Sequence, residues 1–193
     1  MTARSEIAPG LIMVIDTSEP PHTAYDFSTL CPSVRESLTW GDYSLVGHTT
    51  QFTCERKQID DLFATLFSSE RRARFLNELA GMRSYEYAAI IIEATKREVR
   101  NYRPSKEAQD HGAWGGLSEA AKDGRCRGAI NSLHSFEIEY GVRVHYVDRD
   151  RRYCMATVYQ LAARFHRMKH PEEKSPKKPR GTRGGAGSRA EPA

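Results

Sequence analysis

The sequence lacks the features that mark membrane and secreted proteins. No apolar run exceeds the length of a strand, and the run at residues 11–15 is followed by Asp16, so no segment is long enough to cross a bilayer. The N-terminus has no basic region, apolar stretch and small-residue cleavage site of the kind that forms a signal peptide. These absences predict a cytoplasmic protein, or a nuclear one in a cell with a nucleus, with no membrane partner.

Cysteine pairs and a strong charge of one sign are also absent. The four cysteines form no CxxC pair and no zinc-finger spacing, which predicts reduced thiols with a structural role. The formal net charge of +4 permits binding to a polyanion without requiring it. What is present is a chain of 193 residues, 39% of them hydrophobic, enough for one α/β domain with a core and a tail.

The C-terminal stretch differs in composition from the rest. Residues 171–193 are rich in Pro, Gly, Ser, Lys and Arg and carry no large apolar side chain, which predicts a disordered basic tail. The tail is either an arm that contacts phosphates, with Lys177, Lys178 and Arg180 as candidates, or a solubilising end without a further role. We therefore divide the chain into an N-terminal arm at residues 1–10, a folded domain at 11–170 and this tail.

The apolar pattern of the folded part indicates alternating strands and helices. Strands are predicted at residues 11–15, 41–46, 51–57, 88–93 and 142–147, with a hairpin turn at Gly47-His48. Helices are predicted at 59–82, with a break or bend at 68–72, at 129–140 and at 155–165, and a long loop at 101–128. This order favours an α/β domain with a mixed sheet covered by helices.

Charged residues gather where the predicted hairpin ends. Glu55 and Lys57 lie two apart on one strand, so their side chains share a face and Arg56 points the opposite way. A hairpin between the two strands would place Asp42 beside Glu55. Asp61 follows in the first turn of the next helix, and Asp16 ends the first strand.

Converging carboxylates and a lysine suit the hydrolysis of a phosphodiester. Mg²⁺ and Mn²⁺ prefer oxygen ligands, and such an ion neutralises developing charge and produces hydroxide near neutral pH. A lysine can stabilise the charged transition state. The alternative is that these charged residues only form a solvated strand end. In that case Asp60 and Asp61 lie in the first turn of the next helix because acids interact favourably with the positive end of the helix dipole.

The wider pattern of this region is more specific than the triplet alone. Gly41-Asp42, Glu55-Arg56-Lys57 and Asp61 resemble the signature GD…ERKxxxD of the XPF-type structure-specific endonucleases. The segments VIDTSE, AAIIIE and VRVHYVDRDRRYCMATVYQLAARF also resemble strands and a helix of that family. The resemblance covers roughly residues 11–168 and implies a restriction-endonuclease-like fold.

The resemblance also implies a role for each matching residue. Asp42 and Glu55 would ligate Mg²⁺ or Mn²⁺, and Asp16 would complete the acidic cluster. Lys57 would position water or stabilise the transition state, while Arg56 and Asp61 would hold the site together or touch the scissile phosphate. We expect Arg71, Arg72 and Arg74 either to grip the DNA backbone or to be ordinary surface arginines. Ser18 stands where the family commonly carries an arginine, which puts one phosphate contact in doubt.

At the level of function, the resemblance implies a DNA endonuclease acting on branched or structured DNA in repair or recombination. The alternative is a non-catalytic DNA-binding or scaffolding subunit, although this chain retains the charged motif that inactive relatives lose. A role in defence or mobile-element processing would use the same chemistry. The family pairs through its nuclease domains, so we expect a homodimer or a heterodimer. The apolar faces of the last two helices would either form that interface or belong to the core.

Overall fold

Six strands form one sheet with helices on both faces. The structure, a computed structural model, describes residues 8–105 and 114–171. The strands are β1 (Met13–Asp16), β2 (Ser33–Glu36), β3 (Tyr43–Leu45), β4 (Phe52–Gln58), β5 (Tyr87–Glu93) and β6 (Arg143–Tyr146). The helices are α1 (Ile59–Leu66), α2 (Ser69–Met82), α3 (Lys96–Arg100), α4 (Glu119–Tyr140) and α5 (Arg151–Lys169).

The sheet is mixed, with the strand order β2-β1-β3-β4-β5-β6. Strand β3 runs antiparallel to both of its neighbours, β1 and β4, whereas the β1–β2, β4–β5 and β5–β6 pairs are parallel. The predicted mixed α/β fold is therefore confirmed. Because β3 alone is reversed, the carboxyl ends of β1 and β4 meet the amino end of β3 at one edge of the sheet.

Each face of the sheet carries its own hydrophobic cluster. On one face, α1, α2 and α4 pack over Ile90 and Ile92. On the other face, α5 and apolar residues between 8 and 31 pack over Ala89 and Ile91. The alternation along β5 explains its continuous apolar run, since a strand that is covered on both faces needs apolar side chains at successive positions.

Helices α4 and α5 therefore lie on opposite faces of the sheet, and their apolar faces are core. The buried residues of α4 belong to the first cluster and those of α5 to the second. Of the two alternatives for these faces, the buried residues support the core, because each face is already covered within the protomer, and dimerisation stays a prediction. Large apolar side chains that stay exposed on the two helices are Ile138, Tyr153 and Met168.

The predicted hairpin and the predicted break in the first long helix are both present. Gly47 turns between β3 and β4 with a φ of +78°, a conformation that favours glycine. Helix α1 ends at Leu66 and α2 begins at Ser69. Between them Ser68 caps α2, because its hydroxyl accepts the N–H of Arg71.

Three elements differ from the prediction. Helix α4 begins at Glu119, capped by Ser118, inside the segment that we expected to be a loop. Gly124 and Gly128 suggested that loop, but burial of Cys126 and Ala129 offsets the helical cost of glycine. Strand β2 was not predicted, because this exposed edge strand has no apolar alternation. The short helix α3 was also missed, although its capping box, Thr95 with Glu98, is visible in the sequence.

Several predictions lie outside the described residues. They concern most of the N-terminal arm, the centre of the segment 101–128, and the tail with Lys177, Lys178 and Arg180. Within the two ranges that the structure does describe, no helix combines the length and the apolar character needed to span a membrane.

Candidate functional site

The sheet brings Asp16, Asp42 and Glu55 to the same edge. Asp16 is the last residue of β1, Asp42 precedes β3, and Glu55 lies on β4. The N–H of Asp16 donates to the carbonyl of Asp42 over 2.9 Å, and the N–H of Asp42 donates to the carbonyl of Cys54 over 2.9 Å. The backbone of Asp42 therefore joins β1 to β4, which fixes three acids from three strands relative to one another.

An opening of about 320 Å³ lies above this edge, between α2 and the segment that precedes β3. Four carboxylate side chains line it: Asp16, Asp42, Glu55 and Glu78. A neighbouring opening of about 310 Å³ is lined by residues that include Lys57, Asp61 and Arg71. Arg74 and Glu78 of α2 line both openings, so this helix separates the acidic part of the site from its basic part.

Lys57 lies on the same face of β4 as Glu55, as the strand alternation predicts. Its Nζ is 2.6 Å from Glu55 Oε1 and 3.6 Å from Asp61 Oδ2. It also lies 4.7 Å from the ring centre of Phe75. Burial lowers the pKa of Lys57, but the adjacent Glu55 carboxylate outweighs it and the pKa is raised. The ammonium is thus a fixed positive charge between the two openings.

The three predicted metal-binding acids differ in their surroundings. Asp42 accepts the N–H of Arg56 over 2.8 Å, yet burial, followed by the charge of Glu55, raises its pKa well above the usual value. Asp16 accepts the N–H of Leu38 over 2.7 Å and the N–H and hydroxyl of Ser18. These hydrogen bonds outweigh burial and lower the pKa of Asp16. Ser18, at the family's arginine position, therefore serves to hold Asp16.

Glu78 is a member of the site that the sequence analysis missed. Glu78 is half-buried and lines the same opening as Glu55 and Gly41. Burial and then the charge of Glu55 raise the pKa of Glu78 to about 9. The one available signal was its position three residues after Phe75, at the border of the apolar face of α2.

Arg56 directs its guanidinium to the opposite face of the sheet. Nη2 is 2.6 Å from Glu19 Oε1, and Nη1 is 3.4 Å from Glu93 Oε1. Tyr25 donates its hydroxyl hydrogen to the same Glu93 oxygen over 2.8 Å. Of the two roles that the resemblance implies, this geometry suits holding the site together, since the guanidinium does not reach the opening where a phosphate would lie.

The three arginines of α2 do not share one environment. Arg71 lies 3.7 Å from Asp61 and, with Arg74, lines the second opening. Arg72 instead packs over the ring of Phe136 and bonds the hydroxyl of Ser132 over 3.3 Å. For Arg72, these contacts with α4 favour the alternative of an arginine without a DNA contact, and DNA binding by the three arginines stays a prediction. Arg71 and Arg74 remain placed for phosphate contacts.

The donor chemistry of the first opening fits a hard divalent cation, because its acidic lining offers carboxylate oxygens. Within residues 8–105 and 114–171, no three His, Cys, Asp or Glu side chains lie close enough together to hold an ion as they stand. Glu55 is engaged by Lys57 and Asp42 by the Arg56 N–H. Metal binding therefore requires these carboxylates to exchange partners.

A mixed sheet that brings acids from three strands beside a lysine of β4 is the arrangement of a restriction-endonuclease-like fold. The model of the ERCC4 domain matches residues 15–154, so the chain belongs to the ERCC4 domain family, a family of DNA nucleases. The matched range contains every residue that lines the two openings. The resemblance to XPF-type nucleases is thereby confirmed.

Solved structures of similar fold agree with this assignment. The XPF protein of Aeropyrum pernix is 18% identical with a TM-score of 0.55, over 84% of this chain and 69% of that one. The same protein in complex with DNA is 20% identical with a TM-score of 0.56, over 86% of this chain and 68% of that one. No curated protein matches the chain by sequence.

Proposed function

We propose that this chain is a divalent-metal-dependent DNA endonuclease. The observation that carries the proposal is the meeting of Asp16, Asp42 and Glu55 at one sheet edge, with Lys57 held 2.6 Å from Glu55. Membership of a DNA nuclease family supports it, as does the existence of a similar fold in complex with DNA. Mg²⁺ or Mn²⁺ is the cofactor that such donors suit.

Each residue of the site has its own role in the proposed reaction. Asp42 and Glu55 would hold the cation and Asp16 would complete the acidic set, while the bound ion would neutralise phosphate charge and activate water. Lys57, whose side chain is 13% exposed, is a fixed cation that stabilises negative charge developing on the phosphate. Asp61 orients Lys57 across the i,i+4 spacing, and Arg71 and Arg74 hold the DNA backbone beside the opening.

The proposal extends to the substrate and the assembly. We expect branched or structured DNA, in repair or recombination, to be cut by a homodimer or by a heterodimer with a related subunit. The compartment, cytoplasmic or nuclear, is likewise a prediction.

The test is cleavage of labelled duplex, single-stranded, flap, fork and four-way-junction DNA with Mg²⁺, with Mn²⁺ and with chelator. Asp42→Asn keeps an acceptor for the Arg56 N–H but loses the charge, and we expect it to lower cleavage by about 100-fold or more. Lys57→Ala should lower cleavage by a similar factor. Both should bind DNA nearly as well as the parent, because affinity depends on spread phosphate contacts.

Two results would contradict the proposal. Cleavage by Asp42→Asn at the parental rate would show that these residues do not form the metal site. DNA binding by the parent without cleavage, whichever metal is supplied, would favour the non-catalytic scaffolding subunit instead.

A further inference from the structure

Glu78 lies outside the sequence motif yet inside the acidic opening. It comes from α2 rather than from the sheet edge, and it lines the same opening as Asp16, Asp42 and Glu55. Gly41, the residue before Asp42, lines this opening as well. Glu78 therefore lies beside the two chain segments that carry the proposed metal ligands, Asp42 just before β3 and Glu55 on β4.

A purely structural role accounts poorly for an acid at this position. Two carboxyl groups in contact repel each other when both are charged, and burial increases that cost. A glutamine could donate to Glu55 and accept from Gly41 without carrying a negative charge. Four carboxyl groups surround one opening, with Lys57 bonded to Glu55, and a divalent cation would offset the negative charge that they carry once they are ionised.

We propose that Glu78 is a fourth carboxylate ligand of the divalent cation, supplied by α2. The inference rests on the proposed function, since it assumes that the opening binds a metal. Metal binding by Glu78 would also be linked to the proposed DNA contact of Arg74, because Arg74 lies one helical turn before Glu78 and lines the same opening. A cation held in part by α2 would fix that turn of the helix, and with it the arginine, over the sheet edge.

The experiment is a direct measurement of Mn²⁺ affinity by calorimetry, on the full chain without DNA, so that cleavage is not the readout. Glu78→Gln keeps the size and the hydrogen-bonding capacity of the side chain and removes only the negative ligand, and we expect it to weaken Mn²⁺ binding by about 10- to 100-fold. Glu78→Asp keeps a carboxylate on a shorter side chain and should bind more tightly than Glu78→Gln. Glu70→Gln is the matched control, because Glu70 lies on the same helix with its side chain 83% exposed.

The outcomes separate this inference from the proposed function. Parental Mn²⁺ affinity in Glu78→Gln, with weak binding only in Glu78→Ala, would mean that Glu78 merely positions Glu55 and Gly41, and the inference would fall. Mn²⁺ binding that requires Asp42 but not Glu78 would overturn the inference and leave the proposed function intact. A parent protein that binds no Mn²⁺ would overturn both. Thermal unfolding with chelator checks that each variant is folded.

Discussion

Replacement of Arg56 by alanine tests whether this residue of the motif acts on the substrate or on the fold. The Arg56 side chain is 10% exposed, and its partners Glu19 and Glu93 are 7% and 5% exposed. Removing one partner of a buried ion pair costs about 3–5 kcal/mol, because the remaining charge stays buried without compensation. Glu93 keeps the Tyr25 hydroxyl and the Arg151 guanidinium, so we expect a loss of about 3 kcal/mol.

That loss corresponds to a fall in melting temperature of roughly 6–12 °C for a chain of this size. Thermal and urea unfolding would measure it, with Arg71→Ala as the control, because the Arg71 side chain is 54% exposed and exposed pairs contribute about 0–1 kcal/mol. Adding Glu19→Gln to Arg56→Ala should restore part of the stability, since it removes one uncompensated charge.

Cleavage gives the result that would refute this reasoning. Asp42 is held by the backbone N–H of Arg56, which alanine retains, so cleavage by Arg56→Ala should fall in proportion to the folded fraction. A variant that keeps the parental melting temperature and loses cleavage would show that the guanidinium acts on the DNA, contrary to its position in the structure.

Three further predictions concern other parts of the molecule. A Cβ at Gly81 would lie 2.1 Å from Trp40 Cε2, so Gly81→Ala should displace the indole that precedes Gly41-Asp42 and cost about 1–3 kcal/mol; an unchanged melting temperature would contradict this. With chelator, the folded protein holds a proton on Glu78, whose pKa is raised from 4.5 to about 9. The unfolded chain releases that proton, so stability should fall as the pH rises between these values, by at most about 1.4 kcal/mol per pH unit. Urea unfolding at pH 6 and pH 8 should therefore differ in the parent and differ less in Glu78→Gln, and equal differences would rule out this origin. Truncation after His170 should weaken DNA binding mainly at low salt if the tail contacts phosphates, whereas an unchanged salt dependence would favour a tail without that role.

The placement of the motif residues could be predicted because it depends on short-range rules. Alternation along β4 puts Glu55 and Lys57 on one face, and the Gly47 turn returns the chain so that Asp42 lies beside that strand. The carboxyl end of β1 was recognisable from its apolar run. These relations involve hairpin geometry and the period of a strand, both of which are visible in the sequence.

Glu78 could not be predicted in the same way, because its position depends on how α2 crosses the sheet. The periodicity of a helix shows which of its faces is apolar. Whether an acid at the border of that face points to solvent or to the sheet depends on the angle between helix and sheet and on the loop before the helix. The position of the Arg72 side chain also depends on tertiary packing, because its contacts with α4 direct it away from the site. The start of α4 was hidden for a related reason, because its glycines suggested a loop while burial stabilised a helix.

The Glu55-Arg56-Lys57 triplet serves both faces of the sheet through the alternation of one strand. Glu55 faces the acidic opening and Lys57 the neighbouring one, and Arg56 ties β4 to Glu19 and Glu93 on the far face. The Arg56 N–H meanwhile holds the Asp42 carboxylate, so one residue contributes its backbone to the site and its side chain to the fold. A slip of β4 by one residue would exchange these roles, placing a buried arginine among the acids and leaving Glu19 without its partner. The buried ion pairs on the far face therefore fix the register that the site on the near face requires.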